Sequence, residues 1–345
     1  MDWVMSDLAA GRQVLQCRHA PIRLQLPAFG PASAGACVSH KNMPQALGHI
    51  EPRVFFSGKG EPLLMFGSSS KDNCVSQYIV DLRALIPDLA SKMKLDGTAS
   101  PIRFLLPTLL PRPATKHELE QDYLVLFGVD DQMYVQQSLE PRAITTFDSG
   151  ASTPAPVDIP AALPQCISSL HQSSASSDPA VDQLTSVQQA TNALRLTLCE
   201  YPCNPSIENT VLISVMHVKH NEGDNEHYKR HLVVMAPAAP FEILARSSPL
   251  EFSGIAEHDL VFTNQIAWDH MHFRSHSTSS TTVAPPRADY ASAKRSAPPL
   301  RNLLANDFNH GWLDDTVMIL LSINDRENAV LHAKASDLLK NMEAC

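Results

Sequence analysis

Short apolar runs, each stopped by Pro, Gly, Asn or Asp, recur along this 345-residue chain and leave it few ways to fold. Runs of this length and β-branched content fit strands and are too short for packed helices. They occupy residues 21–26, 53–56, 63–66, 75–82, 102–106, 123–129, 133–136 and 143–147. After a gap they resume at 194–198, 210–218, 231–235, 241–245, 260–268, 316–323 and 329–334. Proline outnumbers glycine 26 to 13, which favours irregular connections over long helices.

Helical periodicity is confined to residues 178–192 and 336–342. Two stretches rich in Ser, Ala and Pro, 149–178 and 275–299, read as flexible loop insertions. Strand-like runs of one character lie on both sides of them, so they divide nothing. A single all-β domain over residues 1–345 is expected, built as a β-propeller or a β-sandwich.

The net charge of -9 is spread along the chain without a basic block, which argues against a nucleic-acid partner. No apolar run approaches the roughly 18 residues of a membrane span, and the N-terminus has neither the basic nor the apolar region of a signal peptide. The chain as written is expected to be soluble. Its seven cysteines are an odd number, and Cys199 and Cys203 could close a small loop.

Five places carry candidate chemistry. At Glu51-Pro52-Arg53 a carboxylate and a guanidinium flank one proline, which holds their relative orientation. That suits a base acting on a sugar hydroxyl beside an anion-binding Arg53; an ordinary surface ion pair is the plain alternative. Residues 188–192 place Gln and Asn ahead of a strand, and Asn192 either ends a helix or reads hydroxyls. Between His217 and His231 four histidines flank a polar centre that reads as a hairpin loop. Strand alternation works against one shared ion, so no metal is assigned; Arg230 and His231 suit phosphate or hydroxyl contacts. At 264–269, Trp268 could stack on a sugar while Asn264 bonds hydroxyls, or the tryptophan is core. Asp314 and Asp315 precede an apolar strand, where carboxylates need either nearby donors or a ligand.

Taken in order, these segments resemble the fungal β-1,2-mannosyltransferase family and, more distantly, the β-1,2-mannoside phosphorylases. The resemblance rests on E-P-R-V-F-F from Glu51, G-E-P-L-L-M-F from Gly60 and Q-A-T-N-A-L-R from Gln189. It continues through R-H-L-V-V-M from Arg230, T-N-Q-I-A-W from Thr263, H-G-W-L-D-D-T-V from His310 and A-S-D-L-L from Ala335. It implies a five-bladed β-propeller. The strand-like runs fall short of the roughly 20 strands that five four-stranded blades need, so a first blade is missing or poorly legible.

The implied reaction moves mannose from GDP-mannose to an oligomannoside acceptor with inversion, forming a β-1,2 bond in fungal cell-wall mannan. Glu51 and Asp315 would be the catalytic pair, with Glu51 the base. Glu51 stands where the phosphorylases carry an aspartate one methylene shorter. Arg53, Arg230 and His231 would face the phosphates; Asn192, Asn264, Trp268, His310 and Asp314 would meet the sugars. No cofactor is implied. Inverting phosphorolysis or hydrolysis of a β-mannoside, or glycan binding without catalysis, are the other readings. The family's place is the Golgi lumen, reached through an N-terminal membrane anchor; the sequence as written is expected to be a shortened form or to have lost it.

Overall fold

A computed structural model describes residues 23–26, 49–70, 75–86, 88–89, 102–112, 122–147, 153–160, 162–172, 185–222, 225–252, 255, 259–269 and 308–345. The described residues form four sheets, antiparallel apart from one pairing. The first sheet orders β1 (Ile50–Phe56), β2 (Pro62–Ser69), β3 (Val75–Asp81) and β4 (Thr108–Leu109) side by side. Helix α1 (Leu82–Leu85) follows β3, its start capped by the Asp81 carboxylate, which accepts from Arg83 N at 2.9 Å. The second sheet is β5 (Leu124–Phe127), β6 (Met133–Leu139) and β7 (Arg142–Phe147).

Helix α2 (Gln165–Gln172) leads into the third and largest sheet. At its centre β10 (Thr210–Glu222) and β11 (Asn225–Met235) form a long hairpin, where the histidine-rich sequence places one. β8 (Thr185–Gln189) and β9 (Leu194–Thr197) pair with successive halves of β10, while β12 (Ile243–Ser247) and β17 (Met342–Ala344) extend the other side. β14 (His310–Trp312) adds to β9 in parallel. The fourth sheet is β13 (Val261–Trp268), β15 (Thr316–Ile323) and β16 (Glu327–Lys334), with helix α3 (Ala335–Leu338) after it.

Sheets packed in chain order share three cores. Phe55, Leu63, Met65 and Ile79 of the first meet Val125, Phe127, Met133 and Val135 of the second. Leu124, Leu126 and Ile144 of the second meet Leu212, Met216 and Val218 of the third. Val211, Ile213 and Val215 of the third meet Ile266, Val317, Ile319 and Leu321 of the fourth. The period of two along β10 does this: even positions turn to the second sheet and odd ones to the fourth. Each such side chain contributes about 1.5–3 kcal/mol by leaving water.

A cycle of polar contacts joins the leading strands. Arg53 on β1 pairs with Asp122, just ahead of β5, at 2.7 Å. Arg195 on β9 donates to Gly128 O, just past β5, at 3.0 Å. Asn192 accepts from Ile266 N of β13 at 3.1 Å, and Gln265 of β13 accepts from Val54 N of β1 at 3.3 Å. The contacts return to the sheet where they began. At Gly58, in the turn after β1, a Cβ would fall 2.3 Å from the Asp131 carboxylate and would have to displace it.

Several sequence expectations change. The helical pattern at 178–192 yields strand β8 within its described part, because pairing with β10 outweighs local periodicity. Residues 102–106 hold no strand; the edge strand is Thr108–Leu109. The presumed helix 336–342 stops at Leu338 and gives way to β17. Part of the stretch 149–178 is helix α2, whose Cys166, Ile167 and Leu170 enter the core, so that part is not a free loop. The second stretch, 275–299, lies outside the described residues. Disulfides join Cys199 to Cys203 and Cys166 to Cys345. Among the described residues no helix is long and apolar enough to cross a membrane.

Candidate active site

Strand β10 runs from Thr210 at its lower end to His217 and beyond at its upper end, seven residues or roughly 23 Å of extended chain apart. The residues singled out in the sequence divide between these ends.

At the upper end β1 begins with a bulge between Ile50 and Arg53, and Glu51 takes a left-handed conformation at φ 49. That backbone is costly for a non-glycine residue and is kept only where surrounding structure enforces it. Glu51 retains exposed surface yet is closely surrounded. Desolvation raises its pKa, the Asp122 carboxylate adds to the rise, and the Arg53 guanidinium opposes it. Arg53 is itself buried and held by Asp122.

Across from this pair, His217 and Arg230 stand directly opposite one another on β10 and β11. His217 is fully buried, edge-on to Phe262 at 4.5 Å, and its Nε2 accepts from Thr263 N at 3.2 Å. Its pKa is pushed down to about 3, by burial first and then by the Arg230 and Arg53 charges. The imidazole is therefore neutral at physiological pH. With Nε2 accepting, the proton sits on Nδ1, which has no hydrogen-bond partner among the described residues. Arg230 donates to Val261 O at 3.0 Å and lies over the Phe252 ring, while its buried Nε is also unpartnered. In the sequence His217 stands out only as a possible metal ligand. The signal for its placement was the odd position it shares with Val211, Ile213 and Val215.

His231 does not join Arg230, because neighbours on a strand face opposite ways. It is buried on the far side, bonded through Nδ1 to Ser247 O at 2.8 Å, and desolvation lowers its pKa. Asn192 and Asn264 lie between the two ends. Asn192 is buried and spends its carbonyl oxygen on Ile266 N. Asn264 is the extra residue of a bulge in β13, and its neighbour Gln265 reaches β1 instead.

The lower end gathers the rest. Trp268 is 2% exposed and packs on Gly311, where a Cβ would fall 2.6 Å from its ring, so it presents no face to a sugar. His310 is buried as well, bonded to Thr197 Oγ1 at 2.7 Å and edge-on to Trp312. Asp315 accepts from Trp312 N at 2.7 Å, and Asp314 accepts from Tyr201 N at 2.9 Å. These carboxylates hold the turn into β15 and the loop of the Cys199–Cys203 disulfide. Asp315 nevertheless titrates high: burial pushes its pKa to about 6, Asp314 adds to the rise, and the Trp312 bond opposes it. Glu51, Arg53 and Arg230 thus share the upper end with His217, and Asp315 belongs to the other. Among the described residues no group of three or more His, Cys, Asp or Glu could hold a metal ion.

Comparison with family models, with curated proteins and with solved structures gave no match.

Proposed function

We propose that the upper end of β10 is a glycosyl-transfer site, and that the chain is a β-propeller, five-bladed as the sequence resemblance implies, that makes β-1,2-mannosidic bonds. The observation that carries this reading is the upper-end arrangement. A carboxylate whose charge is disfavoured, Glu51, is set in a left-handed backbone within reach of the Arg53 charge, while Arg230 and a neutral donor, His217, lie across the sheets. Packing of the sheets in chain order and the cycle of contacts between their leading strands support a propeller; the cycle runs through the four described sheets, and a fifth blade rests on the resemblance alone. Both disulfides suit an oxidising compartment such as the Golgi lumen.

In the proposed step Glu51 takes the proton of the acceptor hydroxyl, whose oxygen forms the new bond to the anomeric carbon of mannose. The bond from that carbon to the diphosphate breaks on the opposite face, and GDP leaves with its electron pair. Arg53 and Arg230 would stabilise the departing charge. A raised pKa strengthens Glu51 as a base wherever it is ionised.

The test is incubation with GDP-mannose and β-1,2-mannobiose, following release of GDP and growth of the oligosaccharide. A product with a new β-1,2 bond supports the proposal. Mannose 1-phosphate from mannobiose and inorganic phosphate would reassign the same residues to phosphorolysis, since two guanidinium groups suit phosphate as well as diphosphate. Product in neither assay overturns the catalytic reading.

A further inference from the structure

The lower end of the molecule contains an aromatic side chain that the core does not need. Tyr201 is 56% exposed, yet its position is closely determined. The Asp314 carboxylate holds its backbone N–H, and its ring stands edge-on to Trp312 at 5.3 Å. The Trp312 indole in turn donates to Cys203 O at 3.0 Å, and the disulfide between Cys199 and Cys203 closes the loop on both sides of the tyrosine. Farther along, Asn209 ties the loop again, donating to Asn204 O at 3.1 Å and accepting from Ser206 N at 2.7 Å. A disulfide, an indole, an aspartate and an asparagine therefore hold the loop around a ring that is more than half exposed. Holding an exposed side chain still has a use when something binds it, because the ordering cost is met before the ligand arrives.

We propose that this loop is a saccharide-binding platform, with the Tyr201 ring as its floor and the second oxygen of the exposed Asp314 as a hydroxyl acceptor. A pyranose ring offers an apolar C–H face to an aromatic ring and hydroxyl donors at its rim. Asp314 spends one oxygen on the Tyr201 N–H and keeps its second for a ligand. Residues 198–209 include Glu200 and Glu208 and no Lys, Arg or His, which is wrong for phosphate or nucleic acid and right for a neutral sugar. Leu198 and Ile207 are also exposed, so a protein surface is the competing occupant. The Asp314 carboxylate beside the ring favours the saccharide. The platform lies at the opposite end of β10 from Glu51, where it would hold a distant part of a long chain. The choice of mannan as that chain rests on the function proposed above.

Calorimetric titration with β-1,2-linked mannotetraose tests this on the full chain. Tyr201→Ala should weaken binding at least about ten-fold, the loss expected on truncating an aromatic anchor. Tyr201→Phe, which keeps the ring, should bind like the parent, and both variants should keep the parent's circular dichroism and transfer to mannobiose. A Tyr201→Ala protein that binds as the parent does, or a parent that does not bind the tetraose, overturns the platform. Tyrosine-dependent binding without any transfer leaves the platform standing and removes only the enzyme reading. Transfer without tyrosine-dependent binding removes only the platform.

Discussion

At its upper end β10 sets His217 opposite Arg230, and at its lower end it sets Thr210 opposite Thr197. The upper pair leaves donors unspent in a buried place, His217 Nδ1 and Arg230 Nε. The lower pair bonds to itself at 3.3 Å, and His310 completes it. Carboxylates follow the same division. Asp314 and Asp315 hold backbone amides, whereas Glu51 sits in a strained backbone with its charge disfavoured. Residue types alone do not separate these ends, since each has acids, a histidine and aromatics. What separates them is whether buried polar atoms of the acids and histidines are left unused: they are at the upper end, while at the lower end what stays free is an exposed carboxylate oxygen of Asp314.

The sharpest way to break this contrast is Glu51→Gln, which is expected to lower mannosyl transfer by about 10²–10⁴-fold while leaving circular dichroism unchanged. Equal activity in the variant would remove the base and with it the upper end's claim to chemistry. Next is Arg195→Met. Arg195 is 2% exposed, donates to Gly128 O, and lies 3.5 Å from the Asp131 carboxylate. Leaving Asp131 buried without its partner should cost about 3–5 kcal/mol in urea unfolding. A loss under about 1 kcal/mol would mean that the bridge between the second and third sheets is not structural.

Asp122→Asn should sharpen the upper end. The Asp122 charge raises the pKa of Glu51, and its ion pair occupies Arg53, which lowers that pKa. Removing the charge shifts Glu51 downward through both effects, so the acid limb of the kcat/KM profile should move to lower pH. A limb that moves upward, or stays, contradicts the assignment. The smallest effect is expected for Asp315→Asn. The folded pKa of Asp315 is about 6 against an ordinary 3.8, so the folded chain holds a proton that the unfolded chain has released. Stability from this group is full below pH 3.8 and is lost as pH rises to about 6. Asparagine can still accept from Trp312 N–H, so the variant should gain about 1 kcal/mol or less at pH 8, after solvent screening, and nothing at pH 3.5. Melting temperatures at the two pH values check the sign.

Much of the sheet content was legible because short β-branched runs fit little else, as residues 210–218 and 316–323 show in β10 and β15. β8 was read as helical because residues 178–192 also carry an i, i+4 pattern; only its partner β10 decides, and that partner begins well after it in the chain. The site was half legible. Glu51, Pro52 and Arg53 are contiguous, so the sequence could announce them, but a following proline favours extended backbone and gave no sign of the left-handed Glu51. Asp122 is brought to Arg53 across 69 residues and carries no motif. The separation of Arg230 from His231 follows from strand alternation and could have been foreseen. That of Asp315 from Glu51 is a property of the tertiary fold alone.

One contact has a consequence for how the chain is made. Val54 and Gln265, which join the first sheet to the fourth, are 211 residues apart in sequence. On a ribosome adding about 5–20 residues per second, β1 emerges some 10–40 s before the residue that completes its edge exists. For that interval the earliest sheet must stay folded, or be sheltered, with its Glu51 bulge open to whatever else is in the compartment.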